Sequence, residues 1–142
     1  FVGLRMDTPR AALTQAVLEG VAFAIRDCVE IAKAQDVEIA ASTLCGGGAK
    51  SLLWRKILAN VLGIPLTLPQ TEQGPGYGGA MLAAVACGTY PDVRSCANAL
   101  VRAKQTTEPD AALVAKYNAR YAVWRKLYPA LKASFAEMKA LV

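Results

Sequence analysis

The feature that most constrains the fold is a run of three glycines, Gly46–Gly48, which lies between two apolar segments. Ile39–Cys45 precedes the run and predicts a short buried strand. From Ser51 to Leu62 apolar residues recur at helical spacing, and Gly63 follows as a stop signal. A glycine run between a strand and a helix permits a tight turn and a close backbone approach that a Cβ atom would block.

The glycine run does not match the two common nucleotide-binding motifs. A Walker-type loop requires glycine immediately before Lys50, where this chain has Ala49, and an earlier glycine where it has Leu44. The G-x-G-x-x-G fingerprint fails because Ser51 stands in the place of its last glycine. The run still lies where a strand's carboxyl end meets a helix N-terminus, which is where α/β folds bind nucleotides.

The segments around this junction predict one strand–turn–helix–strand unit preceded by a long helix. Thr8 and Pro9 are predicted to cap and begin a helix over 9–34. Ile64–Leu68 is predicted as the second strand. The predicted core stripe of the long helix consists of Leu13, Val17, Val21, Ala24, Cys28 and Ile31.

The remainder of the chain predicts helices. Met81–Cys87 follows a second glycine cluster and is apolar all round, which predicts a buried helix. Another helix is predicted over 92–103, then a loop over 105–110, then a final helix that Pro129 interrupts near Tyr128. An apolar seam on the final helix, predicted to pack on its own protein, consists of Leu113, Tyr117, Tyr121, Trp124, Tyr128, Leu131, Phe135 and Met138.

Composition narrows the class of protein. The chain has 142 residues, 54% of them hydrophobic, which fits one globular domain without a membrane-spanning segment. It contains no histidine, and its four cysteines show no C-x-x-C spacing, which excludes the common zinc sites and histidine-based triads. We therefore predict reduced, buried thiols, no metal site and a cytoplasmic location.

The positive charge is concentrated in the second part of the chain. Residues 1–91 have equal numbers of basic and acidic side chains, whereas residues 92–142 carry the whole net charge of +5. We interpret 1–91 as an α/β part and 92–142 as a helical tail with a solvated basic face. A nucleic-acid-binding surface is the alternative, and it predicts binding that weakens steeply with salt.

Three motifs in order resemble the C-terminal domain of the FGGY carbohydrate kinases. They are G-G-G-A-K-S-x-x-W-R at 46–55, L-G-I-P at 62–65 and P-G-Y-G-G-A-x-L-A-A at 75–84. The segment A-V-L-E-G-V-A-F at 16–23 is also similar to a helix of that family. Within the family the pattern is most similar to the xylulokinases, and the resemblance covers nearly the whole chain.

The resemblance implies an α/β fold that is part of an actin-like, ribonuclease-H-like ATPase domain, helix-rich, with a C-terminal helical tail. The cofactors it implies are ATP and Mg²⁺. It implies that 1–142 is an incomplete C-terminal nucleotide-binding domain, an expectation that the absence of an initial methionine supports. A sugar, a ketopentose, would bind mainly to an N-terminal domain in the remainder of the same kinase, and the family pattern favours a homodimer.

The family's nucleotide-contact positions carry over to the glycine run. The resemblance implies backbone approach to adenosine and the α-phosphate at Gly47, Gly48 and Ala49, with Lys50 beside the turn and Ser51 as a polar contact. The family's phosphate loop and catalytic aspartate match nothing in this sequence. No catalytic residue is therefore predicted here, and the segment alone is expected to be inactive.

The sequence-based conclusion is an ATP-dependent kinase that converts D-xylulose to D-xylulose 5-phosphate, with this chain supplying the adenosine-binding part. Other sugar or polyol kinases of the family, of the ribulokinase, gluconokinase or glycerol kinase type, are the first alternative. Two further alternatives are a basic binding module without catalysis and a non-catalytic piece that makes oligomer contacts through the aromatic seam. With two predicted strands, the sheet is too small to be stable alone, so we expect a larger polypeptide.

Overall fold

The computed structural model describes residues 1–71 and 74–141. Within these residues the chain forms six α-helices, one short 3-10 helix and three strands. In chain order they are α1 (Arg10–Lys33), β1 (Ser42–Thr43), the 3-10 turn (Gly47–Lys50), α2 (Leu52–Leu62), β2 (Leu66–Pro69), α3 (Gly74–Ala86), α4 (Val93–Leu100), β3 (Ala103–Thr107), α5 (Ala111–Trp124) and α6 (Leu127–Ala140).

The three strands form one mixed sheet in the order β1-β2-β3. β1 runs parallel to β2, with Ser42 opposite Leu66. β3 runs antiparallel to β2, with Leu66 opposite Thr107 and an irregularity between Leu68 and Pro69. The parallel pair is joined through α2, so the carboxyl end of β1 meets the N-terminus of α2 across the glycine turn.

The expectation of two strands is wrong, because β3 lies where a loop was predicted and where the tail was expected to be helical. The first strand is also shorter than predicted, and both of its residues are exposed. Residues 103–107 read A-K-Q-T-T, with no apolar alternation that would identify a strand. Pairing with β2 supplies the backbone hydrogen bonds that make this polar segment extended.

Helix α2 lies at the centre of the core. It packs against both α1 and α5, and its apolar residues Ile57, Leu58 and Val61 are buried. Ser51 caps its first turn by accepting the N–H of Trp54, and Gly63 ends it in the left-handed conformation, as predicted.

The buried surface of α1 differs from the predicted stripe. The helix bounds agree with the prediction to within a residue, but Thr8 does not cap it. Ala22 and Phe23 are the buried residues of α1, whereas Val17 and Val21 of the predicted stripe are at least half exposed. The predicted stripe is therefore wrong for the described chain.

Polar residues beside Phe23 explain which surface of α1 is buried. The carboxylate of Glu19 accepts hydrogen bonds from the Tyr117 hydroxyl at 3.0 Å and from Arg120 Nη1 at 3.1 Å. The Tyr121 hydroxyl donates to Asp27 Oδ1 in the same way. These contacts tie α1 to α5, so the polar positions of α1 decide its orientation.

The Tyr121–Asp27 contact predicts a loss of stability at high pH. Burial, followed by the hydrogen bond to Asp27, raises the pKa of Tyr121 from 10.0 to about 12. The folded state holds the Tyr121 proton more tightly than the unfolded state does. The neutral hydroxyl therefore stabilises the folded state fully below pH 10, and this stabilisation is lost as the pH rises towards 12. We expect the free energy of unfolding, relative to that of Tyr121→Phe, to be smaller in urea titrations at about pH 11 than at about pH 9. If the native protein and Tyr121→Phe differ in free energy of unfolding by the same amount at both pH values, the raised pKa of Tyr121 is contradicted.

Helix α3 has no buried residue, so the prediction of a buried helix is wrong within the described chain. The helix begins at Gly74 and includes the second glycine cluster, which was expected to precede it. Its sequence, G-P-G-Y-G-G-A-M-L-A-A-V-A, has no charged side chain, yet Leu82 is 58% exposed. A helix that is apolar all round requires a covering partner.

The predicted break in the last helix is present, three residues before the expected place. α5 ends at Trp124 and α6 begins at Leu127, with Pro129 in the first turn of α6, where proline is tolerated. The seam divides accordingly: Tyr117 and Tyr121 are buried, whereas Tyr128, Leu131, Phe135 and Met138 are exposed.

All four cysteines are free thiols. The prediction that they are buried is correct for Cys96 alone, since Cys28, Cys45 and Cys87 are exposed. No helix within residues 1–71 and 74–141 is long and apolar enough to cross a membrane.

Candidate functional site

The candidate site is the turn that links β1 to α2. Gly46 has φ +88° and ψ −178°, a backbone conformation that only glycine adopts readily. Gly47–Lys50 then form a single 3-10 turn, and Ser51 leads into α2. The expected junction of a strand's carboxyl end with a helix N-terminus is confirmed.

The two glycines within the turn have different surroundings. A Cβ atom added at Gly47 would meet no protein atom within 4 Å. A Cβ atom at Gly48 would lie 3.2 Å from the indole ring of Trp54. Gly48 is therefore needed for packing within the protein, whereas the protein itself gives no reason for glycine at Gly47.

The other three predicted positions also differ in role. Ala49 is buried beneath the turn, and Lys50 is exposed at the edge of a cavity. The Ser51 hydroxyl accepts the N–H of Trp54 at 3.3 Å, so it acts as the cap of α2. A hydroxyl that accepts this hydrogen bond keeps its own proton for donation to a ligand.

A cavity of about 250 Å³ lies beside the turn, at the ends of all three strands. Three of its lining side chains are cationic: Lys50, Arg55 and Lys104. Gly46 and Ala49 also line it, whereas Gly47, Gly48 and Ser51 do not. The volume is slightly below the roughly 300–1,000 Å³ typical of small-molecule sites, so the cavity fits part of a larger ligand.

Arg55, Lys104 and Gln105 are polar lining residues that sequence reasoning did not select for this site. Arg55 Nη1 donates to Gln105 Oε1 at 2.9 Å, which joins α2 to β3. Arg55 stands three residues before the buried Leu58, and this spacing predicts a cation on the buried face of α2. Gln105 has no such pattern, because β3 was not predicted.

A smaller apolar cavity of about 190 Å³ adjoins the first one, and Cys45 and Pro69 line both. Its other side is formed by the start of α3, where the Tyr77 hydroxyl donates to the Leu100 carbonyl at 3.1 Å. An added Cβ at Gly78 meets nothing within 4 Å, so the described residues make no close packing there.

The residues at the turn fit an anionic ligand with a flat, apolar part. The first cavity supplies hydrogen-bond donors from the Arg55, Lys50 and Lys104 side chains, and the adjoining apolar cavity supplies surface for a ring. Within residues 1–71 and 74–141 there is no cluster of three side chains that could hold a metal ion.

A comparison with protein families matches residues 1–87 to the C-terminal domain of the FGGY family of carbohydrate kinases. Among solved structures, a "xyloylose kinase" from Brucella ovis has 40% sequence identity and a TM-score of 0.84, over 94% of this chain and 27% of that chain. This similarity confirms the predicted fold class, an α/β, helix-rich part of an actin-like ATPase fold.

Curated relatives include a xylulose kinase from Staphylococcus epidermidis, 28% identical over 97% of this chain and 28% of that protein. A ribulokinase from Mycolicibacterium smegmatis is 34% identical over 90% of this chain and 23% of that protein. The chain therefore spans about a quarter of the length of these relatives.

Proposed function

Because the chain belongs to the FGGY family of carbohydrate kinases, we propose that it supplies the adenosine-binding part of an ATP-dependent sugar kinase. The observation that carries the proposal is the open space beside Gly47 in the β1–α2 turn. The protein does not need glycine there for its own packing, so a close approach by a ligand explains it.

The proposed contacts are those that the family resemblance implies for the turn. The backbone of Gly47, Gly48 and Ala49 passes against the adenosine, while Lys50 and the Ser51 hydroxyl are the polar groups beside it. Mg²⁺ would be held through the nucleotide's phosphates, as it commonly is in kinases. The catalytic base and the phosphate loop belong to the remainder of the kinase, so this chain binds and orients the nucleotide.

We propose transfer of a phosphoryl group from MgATP to a primary hydroxyl of a ketopentose, with D-xylulose as the first candidate. The names of the relatives support this choice, since the S. epidermidis protein is a xylulose kinase. The M. smegmatis ribulokinase keeps ribulose as the next candidate, and substrates of the gluconokinase and glycerol kinase types follow.

The exposed apolar surfaces support the proposal that the remainder of the kinase covers this segment. The uncharged helix α3 and the exposed residues Val17 and Val21 of α1 present surfaces that a single domain normally buries. We keep the division into an α/β part, 1–91, and a tail, 92–142, as a proposal, with β3 as the strand that the tail adds to the sheet. A homodimer and a cytoplasmic location also remain proposals.

Isothermal titration calorimetry of the protein in its full natural length tests this function. We expect saturable binding of MgADP, and a coupled assay is expected to show ATP turnover with D-xylulose that exceeds turnover with D-ribulose, gluconate or glycerol. The salt dependence of binding distinguishes the kinase from the alternative, a nucleic-acid-binding module. Nucleic-acid binding by the basic tail would weaken steeply as the salt concentration rises. Salt-steep RNA or DNA binding without MgADP binding would contradict the kinase proposal.

A further inference from the structure

Cys45 is an exposed thiol beside the glycine turn. It directly precedes Gly46 and lines both cavities, that of about 250 Å³ at the strand ends and the apolar one of about 190 Å³. A Cβ atom built at Gly74 would lie 3.8 Å from Cys45 Sγ, so the sulfur lies close to the start of α3. A group attached to this sulfur would therefore occupy the space beside the turn.

The other three cysteines do not share this position. Cys96 is fully buried, and Cys28 lies on α1, where its Sγ donates to the Ala24 carbonyl at 3.6 Å. Cys87 is exposed just after the end of α3 and, like Cys28, lines neither cavity. Cys28 and Cys87 are therefore reference sites for an exposed thiol within the same chain.

Arg55 is a second, independent observation that the cavity at the strand ends takes a ligand. The residue is only 7% exposed and lines this cavity with Cys45, yet its Nε atom has no hydrogen-bond partner among the described residues. Its Nη1 donates to Gln105, a neutral acceptor. A buried cationic donor without a partner is unfavourable, so a negatively charged acceptor is expected beside it. Lys50 and Lys104 have contacts of their own and add nothing to this expectation.

The thiol and the buried cation line the same cavity, so a reagent for this pair must react with a thiol and carry negative charge. Low-molecular-weight disulfides built from acidic thiols do both. Thiol–disulfide exchange requires an accessible thiol, and the carboxylates of such a reagent suit a guanidinium.

We propose that Cys45 is a site of reversible thiolation by an acidic low-molecular-weight disulfide, with Arg55 as the group that binds its carboxylate. The Cys45 thiolate attacks one sulfur of the disulfide, a new S–S bond forms to that half of the reagent, and the old S–S bond breaks. The other half leaves as a thiolate with the bonding electron pair and takes up the proton that Cys45 released to solvent. The same exchange with an excess of free thiol restores Cys45.

Thiolation would act on the proposed nucleotide site. The attached group fills the cavity whose wall includes Gly46 and Ala49 of the glycine turn, so it competes with a ligand that approaches the turn. This consequence rests on the proposed function, whereas the reaction at Cys45 does not. Thiolation therefore weakens nucleotide binding, and reduction restores it.

Glutathione disulfide, which is acidic, and cystamine, which is cationic, test the site in the protein of full natural length. Peptide mass spectrometry measures the rate of modification at each cysteine. We expect the ratio of the glutathione disulfide rate to the cystamine rate to be roughly 10-fold higher at Cys45 than at Cys87, as one charged hydrogen bond allows. Equal ratios at the two cysteines would overturn the proposal.

Arg55→Gln is expected to lower the ratio at Cys45 to that at Cys87. Lys56→Gln is the matched control, because Lys56 is exposed one residue further along α2 and lines neither cavity, so the native ratio should remain. The comparison within the native protein stands even if Arg55→Gln does not fold. A native ratio in folded Arg55→Gln would show that Arg55 is not the binding group.

Calorimetry with MgADP tests the consequence for nucleotide binding. Protein treated with glutathione disulfide is expected to bind ADP roughly 10-fold or more weakly, as when an extra group is forced into a packed contact, and dithiothreitol should restore the affinity. In Cys45→Ser the same treatment should leave the affinity of the untreated variant unchanged. Saturating MgADP should slow the modification of Cys45 and not that of Cys87.

The outcomes separate the two proposals. If the native protein does not bind ADP while Cys45 prefers the acidic disulfide, the proposed function is wrong and the thiolation site stands. If ADP binds and Cys45 reacts as Cys87 does, or if thiolation leaves ADP affinity unchanged, this inference is wrong and the proposed function stands.

Discussion

Replacing Phe23 with alanine is expected to destabilise the protein by about 3–5 kcal/mol, the range for removal of a large buried aromatic side chain. Phe23 is only 5% exposed, and its ring centroid lies 5.6 Å from that of Trp124 and 5.9 Å from that of Tyr121. It joins α1 to α5, so the cavity left by the substitution would lie at the contact that holds these helices together. Urea unfolding followed by circular dichroism measures the change.

Phe135→Ala is the matched control for this substitution. It removes the same atoms from α6, where Phe135 is 50% exposed, and surface changes of this kind usually stay within about 0.5 kcal/mol. Because domains are commonly stable by only about 5–15 kcal/mol, Phe23→Ala would use up much of that margin. Equal effects of the two substitutions would show that the α1–α5 contact is not the core of this domain.

Replacing Gly47 with alanine is expected to reduce ADP affinity while leaving the fold intact. The added Cβ would meet no protein atom within 4 Å, and the backbone there does not require a positive φ. Forcing an extra methyl group into a closely packed contact costs about 1–3 kcal/mol, which corresponds to a loss of affinity of roughly 10- to 100-fold. Calorimetry with MgADP measures the affinity, and the melting temperature checks the fold.

Two neighbouring substitutions act as controls for Gly47→Ala. Gly46→Ala should lower stability by about 1–3 kcal/mol, because alanine is strained at φ +88°. Gly48→Ala should disturb Trp54, whose ring lies 3.2 Å from the added Cβ. Loss of ADP affinity in Gly47→Ala without loss of stability thus identifies ligand contact. Unchanged ADP affinity in that variant would remove the argument that a ligand approaches the turn.

Local signals in the sequence predicted where several elements begin and end. Ser51 caps α2 and Gly63 ends it in the left-handed conformation, and the bounds of α1 were correct to within a residue. Caps and glycine stops act through backbone groups within one helical turn, so a few neighbouring residues decide them. The glycine turn at the candidate site was predictable for the same reason.

Burial was predicted less well, because it depends on which surfaces meet. Val17 and Val21 fit the helical stripe of α1, yet the polar contacts of Glu19 and Asp27 with α5 turn another face towards the core. Helix α3 is apolar throughout and still has no buried residue. Periodicity describes a helix's own surface and does not indicate what covers it.

The sequence by itself determined the strand–glycine turn–helix junction, the ends of α1 and α2, and the family, because these depend on short runs of residues read in order. Only the tertiary structure decided that the polar segment A-K-Q-T-T becomes strand β3, because its extended form depends on pairing with β2. That pairing brings Gln105 to Arg55 from 50 positions away along the chain. The cationic cavity therefore exists only in the folded protein, since its residues come from the turn, from α2 and from all three strand ends.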